Sequence, residues 1–224
     1  MKKVFLTAVA LFAIGFAQAQ TARFGVKGGL NVSTLTGNIE NAEAKIGAHV
    51  GGLVEIKITN KFAIQPELLL SLQGAKNDYT RGSGNNRYTN EEKVNLTYIN
   101  IPVMAKFYVI PKLSLEAGPQ LGFLVNAENK YTATEVDGND VFTVSRKNDI
   151  KGNLRTIDAG FNLGASYYFT NNLFVQARYT IGLSSIDKND YNRNNDDDDF
   201  NDYDYDYDKG IHNGVFQASI GYRF

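Results

Sequence analysis

The chain has 224 residues, 23 basic against 24 acidic, and no cysteine. Near-neutral charge without a run of basic residues gives no reason to expect nucleic acid. The missing cysteines exclude a disulfide framework and a lipid-modified cysteine.

The first residues read in the order of a secretory signal. Lys2 and Lys3 form a basic start, Val4 to Phe16 an apolar run, and Ala17-Gln18-Ala19 a small-x-small cleavage site. The expected division is a signal over 1–19 and one domain over 20–224, with a net charge of about −3 once Lys2 and Lys3 are gone. Beyond the signal no apolar stretch reaches the roughly 18 residues of a transmembrane helix. A membrane β-barrel stays open, because alternation dilutes its hydropathy.

Eight segments then alternate with a period of two. The first is near Ala22–Ser33, with Phe24, Val26, Leu30 and Val32 opposite Arg23, Lys27 and Asn31. The second is Ala44–Ile58, with His49, Glu55 and Lys57 on its polar side. The third, Phe62–Ala75, sets Leu68, Leu70 and Leu72 against Gln65, Glu67 and Ser71. The fourth is Val94–Val109, with Asn100 and Lys106 on the polar side. The fifth, Leu113–Ala127, opposes Leu115, Leu121 and Val125 to Glu116, Gln120 and Asn126. The sixth is Asn153–Phe169, with Asp158, Asn162 and Ser166 on the polar side. The seventh is Leu173–Ser185, with Gln176, Arg178 and Thr180. The eighth closes the chain, with Phe216, Ile220, Tyr222 and Phe224 against Gln217, Ser219 and Arg223.

Short links at 59–61, 110–112 and 170–172 alternate with long polar links at roughly 34–43, 76–93, 128–152 and 187–212. Short turns on one side and long loops on the other predict an all-β fold: an eight-stranded antiparallel up-and-down transmembrane barrel with both termini periplasmic. A soluble barrel also alternates, but it hides its apolar face and charges its exterior. Here the polar face is mostly Gly, Ser, Asn and Gln, which suits a crowded interior, and the apolar face carries aromatics near strand ends. Arg23, Lys27, Glu55, Lys57, Glu67, Lys106, Glu116, Asp158, Arg178 and Arg223 face inward with mixed sign and are expected to pair across the lumen as a structural plug, since eight strands leave room for side chains and not for a channel. Pro66, Pro102 and Pro119 fall within strands, which predicts bulges or sharp bends there.

The stretches FAIQPELLLSLQGAK (62–76), LTYINIPVMAKFY (96–108) and LSLEAGPQLGFLV (113–125), with FGVKGGLN (24–31), resemble the PorT-type outer-membrane β-barrel family of Bacteroidetes-like bacteria. The resemblance implies an eight-stranded barrel in the outer-membrane lipid. It implies no catalytic residue, and the member that names the family is associated with protein secretion. Tyr222 and Phe224 in the last strand resemble the signal read by the barrel-assembly machinery.

The segment 194–210 is the most unusual. Asp202, Asp204, Asp206 and Asp208 alternate with tyrosines after a run of four aspartates. Clustered carboxylates suit weak Ca²⁺ binding, yet the EF-hand spacing fails, because position six from Asp202 is Tyr207 and no Glu closes the loop. A solvated, self-repelling loop is the plainer reading. The two histidines, His49 and His212, form no evident nucleophile–base set. The chain therefore reads as a barrel without catalysis or a cofactor. It would act through its surface loops on an extracellular protein, with the acidic loop at 194–210 as the main contact, or as an accessory of a secretion or transport system, with an outer-membrane enzyme the weakest alternative.

Overall fold

The computed structural model describes residues 22–37, 43–83, 86–138, 140–188 and 210–224. The signal segment lies outside the described residues. Among the described residues nine antiparallel strands make one sheet: β1 (Ala22–Thr36), β2 (Glu43–Lys57), β3 (Phe62–Ser83), β4 (Asn86–Ile110), β5 (Leu113–Asp137), β6 (Asp140–Asp149), β7 (Ile157–Tyr168), β8 (Leu173–Gly182) and β9 (His212–Arg223). Eight close into a ring, because β9 pairs with β1 from Gly25↔Arg223 to Thr36↔His212. The ninth, β6, pairs only with the far half of β5, outside the ring. No described helix is long and apolar enough to cross a membrane, which says nothing of strands.

The tight links sit at one end, here the turn end. Two of them share a device. The Thr59 hydroxyl accepts the amides of Lys61 and Phe62, and the Thr170 hydroxyl those of Asn172 and Leu173. Each threonine thus closes its own turn.

Side-chain alternation decides what the wall faces. Val26, Leu30, Val50, Leu70, Ile101, Leu121, Leu163 and Ile220 are exposed on the outside, while Lys27, Asn31, His49, Ser71, Asn100, Gln120, Asn162 and Ser219 are buried within. Water would select the opposite arrangement, so the outer face is built for lipid. From Phe62 to Leu72 the outward row of β3 rises about 33 Å along the strand. At a tilt of about 40° that is about 25 Å of height, the thickness of an outer-membrane apolar band. At the turn end the band is rimmed by aromatic pairs, Phe62–Phe107, Tyr167–Phe169 and Tyr222–Phe224, with ring centres 5.1, 5.3 and 5.6 Å apart. This is the position of an interfacial girdle.

Two expectations change. First, the links at 76–93 and 128–152 are largely strand. β3 and β4 run on in register to Ser83↔Asn86, and β5 continues to Asp137 before β6 folds back on it. Second, the prolines carry no bulge. The ladder keeps its register past each one and omits two rungs on a single side: 54–55 against 65–66, 67–68 against 101–102, and 103–104 against 118–119. A proline lacks one donor, and that donor would have faced the preceding strand. The rungs on both sides of the gap pin the register, so no extra residue is needed. True register shifts lie between Thr97 and Tyr98, between Tyr108 and Ile110, and between Ala44 and His49. The first of these turns Asn126 outward and buries Ala127. At Gly74 the wall gives way to the extension of β3 with φ of +133°, a conformation that an L side chain rarely adopts.

Candidate functional site

The lumen is the first place to look for function, and all eight ring strands supply it. Lys27 of β1 lies 2.7 Å from Glu67 of β3. Arg178 of β8 grips the same carboxylate with two hydrogen bonds, 3.0 and 2.8 Å, and reaches Glu116 of β5 at 3.5 Å. Lys106 of β4 stands between Glu116 at 3.8 Å and Glu55 of β2 at 3.5 Å. Arg223 of β9 completes the line by pairing with Glu55. The result is one alternating chain of charges across the bore: Lys27, Glu67, Arg178, Glu116, Lys106, Glu55, Arg223.

Neutral groups take up part of what the ions leave, while the Nε atoms of Arg178 and Arg223 keep no hydrogen-bond partner among the described residues. Lys27 also donates to Gln176, Gln65 donates to Glu67, and Lys106 donates to the Tyr168 hydroxyl at 2.6 Å, which donates onward to Glu55. Of the ten inward charges singled out in the sequence, seven belong to this line; Arg23 and Lys57 stay at the turn end, where Arg23 donates to the Asn171 carbonyl and Lys57 lies 5.2 Å over the Tyr108 ring. Asp158 lies apart near the other end, accepting hydrogen bonds of 2.7 Å from both Asn213 and Ser184.

Apolar plugs bound the charged layer. At the turn end Leu53, Ala63, Tyr108, Tyr168 and Phe174 form a buried cluster. Tyr168 stacks near Phe174 at 5.4 Å, and the Arg223 guanidinium lies 4.0 Å over the Tyr168 ring. A Cβ at Gly221, opposite Phe174 in the ladder, would collide with the Phe174 ring, so glycine makes its seat. At the far end Leu35, Ala75, Leu96, Tyr98, Leu124, Ala127 and Ile186 form a second cluster. The sequence reading missed both plugs. Their only signal was an aromatic or leucine at a polar-phase position, as at Phe174, Tyr98 and Leu53.

Between the layers, His49 is held through both ring nitrogens, Nδ1 by Asn31 at 2.7 Å and Nε2 by Ser219 at 2.8 Å. His212 Nδ1 donates to the Ser184 carbonyl at 3.0 Å. Asp202, Asp204, Asp206 and Asp208 lie outside the described residues. Among the described residues no cluster of three potential metal ligands occurs.

The second place is the four-stranded sheet that β3, β4, β5 and β6 raise beyond the ring. Its register aligns like residues. Lys76, Lys93, Lys130 and Lys147 stand directly side by side, and four residues closer to the tip so do Thr80, Thr89, Thr134 and Thr143. Lysines in a row repel, and offset carboxylates offset this. Lys76 pairs with Glu43 and Asp78, Lys93 with Glu91, and Lys147 with Glu128, at 2.5 to 3.0 Å. Hydrogen bonds to Glu43 and then Asp78 push the Lys76 ammonium up to about 12, and the Lys147 hydrogen bond holds the Glu128 carboxyl below its usual range. Both groups therefore stay charged throughout the neutral range.

The family model described as "Outer membrane protein beta-barrel domain" matches residues 16–188. No curated protein matches the chain. Among solved structures, it is similar to Ail, the attachment invasion locus protein of Yersinia pestis, at 12% identity, covering 92% of this chain and 100% of that one with a TM-score of 0.43. Neisserial surface protein A aligns at 12% identity over 92% and 100%, with a TM-score of 0.46. The outer membrane protease OmpT of Escherichia coli aligns at 11% over 92% and 98%, with a TM-score of 0.36.

Proposed function

The chain belongs to the outer membrane protein beta-barrel domain family, and from that premise we propose that it is a sealed surface-display barrel, whose wall anchors the β3–β6 sheet in the outer membrane and whose contacts are made outside the cell. The observation that carries this reading is the lumen. Among the described residues two apolar plugs enclose a continuous line of seven charges, which supports a bore without a path for a solute, and Ser219 with His49 is buried in the lumen rather than open to a substrate. What the fold does offer a partner is the long sheet beyond the ring. In this reading residues 1–19 are removed on export, 20–224 form the barrel, and both termini lie in the periplasm with the short turns. The PorT-type resemblance fits this assignment. Outward Tyr222 and Phe224 then present the β9 strand to the assembly machinery as the ring closes.

The test is brief trypsin treatment of intact cells. Arg146 and Lys147 are exposed on β6, and cleavage there is expected while the barrel stays intact in the membrane. Purified protein in a planar bilayer is expected to pass no steady current. A steady ohmic conductance would replace the sealed barrel with a pore, and protection of Arg146 and Lys147 in intact cells would reverse the orientation.

A further inference from the structure

We propose that the free edge of β6 pairs with the β6 of a second copy seated in a facing membrane, so that the protein tethers surfaces to one another. The inference rests on the surface-display reading and adds the partner. β6 is bonded to β5 on one side, and among the described residues nothing pairs with its other side. An edge strand with open donors and acceptors is a template for another strand, and proteins usually protect it by charge, brevity or a bulge. The centre of β6 has none of these. Val141 and Phe142 are each 63% exposed and Val144 54%, in a run without charge from Val141 to Ser145. Three large apolar side chains on an open edge, held away from the lipid band, call for cover.

The strand is complementary to itself in one register. Laid antiparallel about Thr143, it sets Asp140 against Arg146 and Phe142 against Val144, each pair occurring twice by symmetry. All four residues share one face, because alternate residues of a strand do. Lengthening the overlap by one residue brings Arg146 opposite Val141, and by two opposite Phe142. Shortening it leaves Arg146 without a carboxylate. The chosen register also carries the threonine row through the junction, Thr134 to Thr143 and on to the second copy's Thr143.

Direction identifies where the second copy sits. β6 runs from the tip of the sheet back toward the barrel. Two copies in one membrane therefore bring their β6 edges together parallel, and the antiparallel register is closed to them. Inverting one copy, which places it in an opposing membrane, makes the edges antiparallel.

The experiment uses full-length protein reconstituted into phosphatidylcholine vesicles, with clustering followed by light scattering. Trypsin release of the β6 site counts the molecules whose sheet faces outward. Wild-type vesicles are expected to cluster. Vesicles bearing Asp140→Arg alone, or Arg146→Asp alone, are expected to cluster roughly tenfold more slowly or worse, since like charges then face each other twice. Mixing the two variant populations restores opposite charges in both pairs and is expected to restore clustering. The positions are exposed on the edge, so folding is checked only by heat-dependent gel mobility. Dispersed wild-type vesicles with outward, cleavable sheets would overturn the inference and leave surface display standing. Unchanged clustering in either variant, or mixed variants that stay dispersed, would overturn it as well.

Discussion

Replacing Glu67 by Ala is expected to lower the stability of the barrel by about 3–5 kcal/mol, the usual cost of removing one partner from a buried ion pair. Glu67 is fully buried and serves two cations at once. Without it Arg178 retains only the longer contact to Glu116, and Lys27 retains only the neutral Gln176. The cost is thus that of two stranded charges rather than of one lost contact. A triple change, Glu67→Leu with Lys27→Met and Arg178→Met, removes charge and counter-charge together and is expected to recover most of the loss. Urea titration read by the folded band on unheated gels measures both. Equal stability of Glu67→Ala and wild type would mean that the bore is wet enough to solvate its ions.

The second large effect is at Phe174. Its ring is completely buried, seated on Gly221 and stacked on Tyr168. Phe174→Ala is expected to cost about 3–5 kcal/mol, the transfer term plus the cavity left under a closed wall. It is not expected to open a pore, because the Arg223–Glu55–Lys106 stretch still crosses the bore behind it. A bilayer recording of the variant tests that separation. Conductance in Phe174→Ala would show that one aromatic plug, and not the layered lumen, seals the barrel.

The ring was legible in the sequence because a period-two pattern with one apolar face has few alternatives. Hydrophobic residues at Leu68, Leu70 and Leu72, against Gln65, Glu67 and Ser71, settle which way each strand faces. The charges were legible for the same reason, since a residue's phase alone turned Glu55, Lys106 and Arg178 inward. Asp158 shares that phase but sits near the far end, away from the charged line, where Ser184 and Asn213 donate to it. The plugs were not legible. Alternation reports which face a residue is on, while Phe174 and Tyr98 are apolar on the polar face, and only the height of each in the bore groups them into layers.

The sheet beyond the ring was also missed, for a different reason. Residues 76–93 are too polar to show an apolar face, since both faces of the extension meet water. Their strand character comes from continuing a ladder already set below. One local signal was present: Gly138 opens the two-residue link between the paired Asp137 and Asp140, and its φ of +61° is the left-handed conformation that a tight hairpin asks of its first link residue. The prolines misled for want of a rule about sides. A lost donor matters only toward the strand that it would have faced.

A wall that faces lipid, a bore that is sealed and a sheet that lies outside the cell each set how fast a cysteine placed there reacts. One labelling experiment in whole cells reports on all three, and the absence of native cysteine makes it clean. Single substitutions Phe142→Cys, Leu70→Cys and Gln217→Cys are each treated with a membrane-impermeant maleimide. The prediction is prompt labelling of Phe142→Cys, with Leu70→Cys and Gln217→Cys silent until the barrel is denatured. Labelling of Gln217→Cys as fast as Phe142→Cys would contradict the sealed bore, and a Phe142→Cys that reacts only in broken cells would contradict display at the surface.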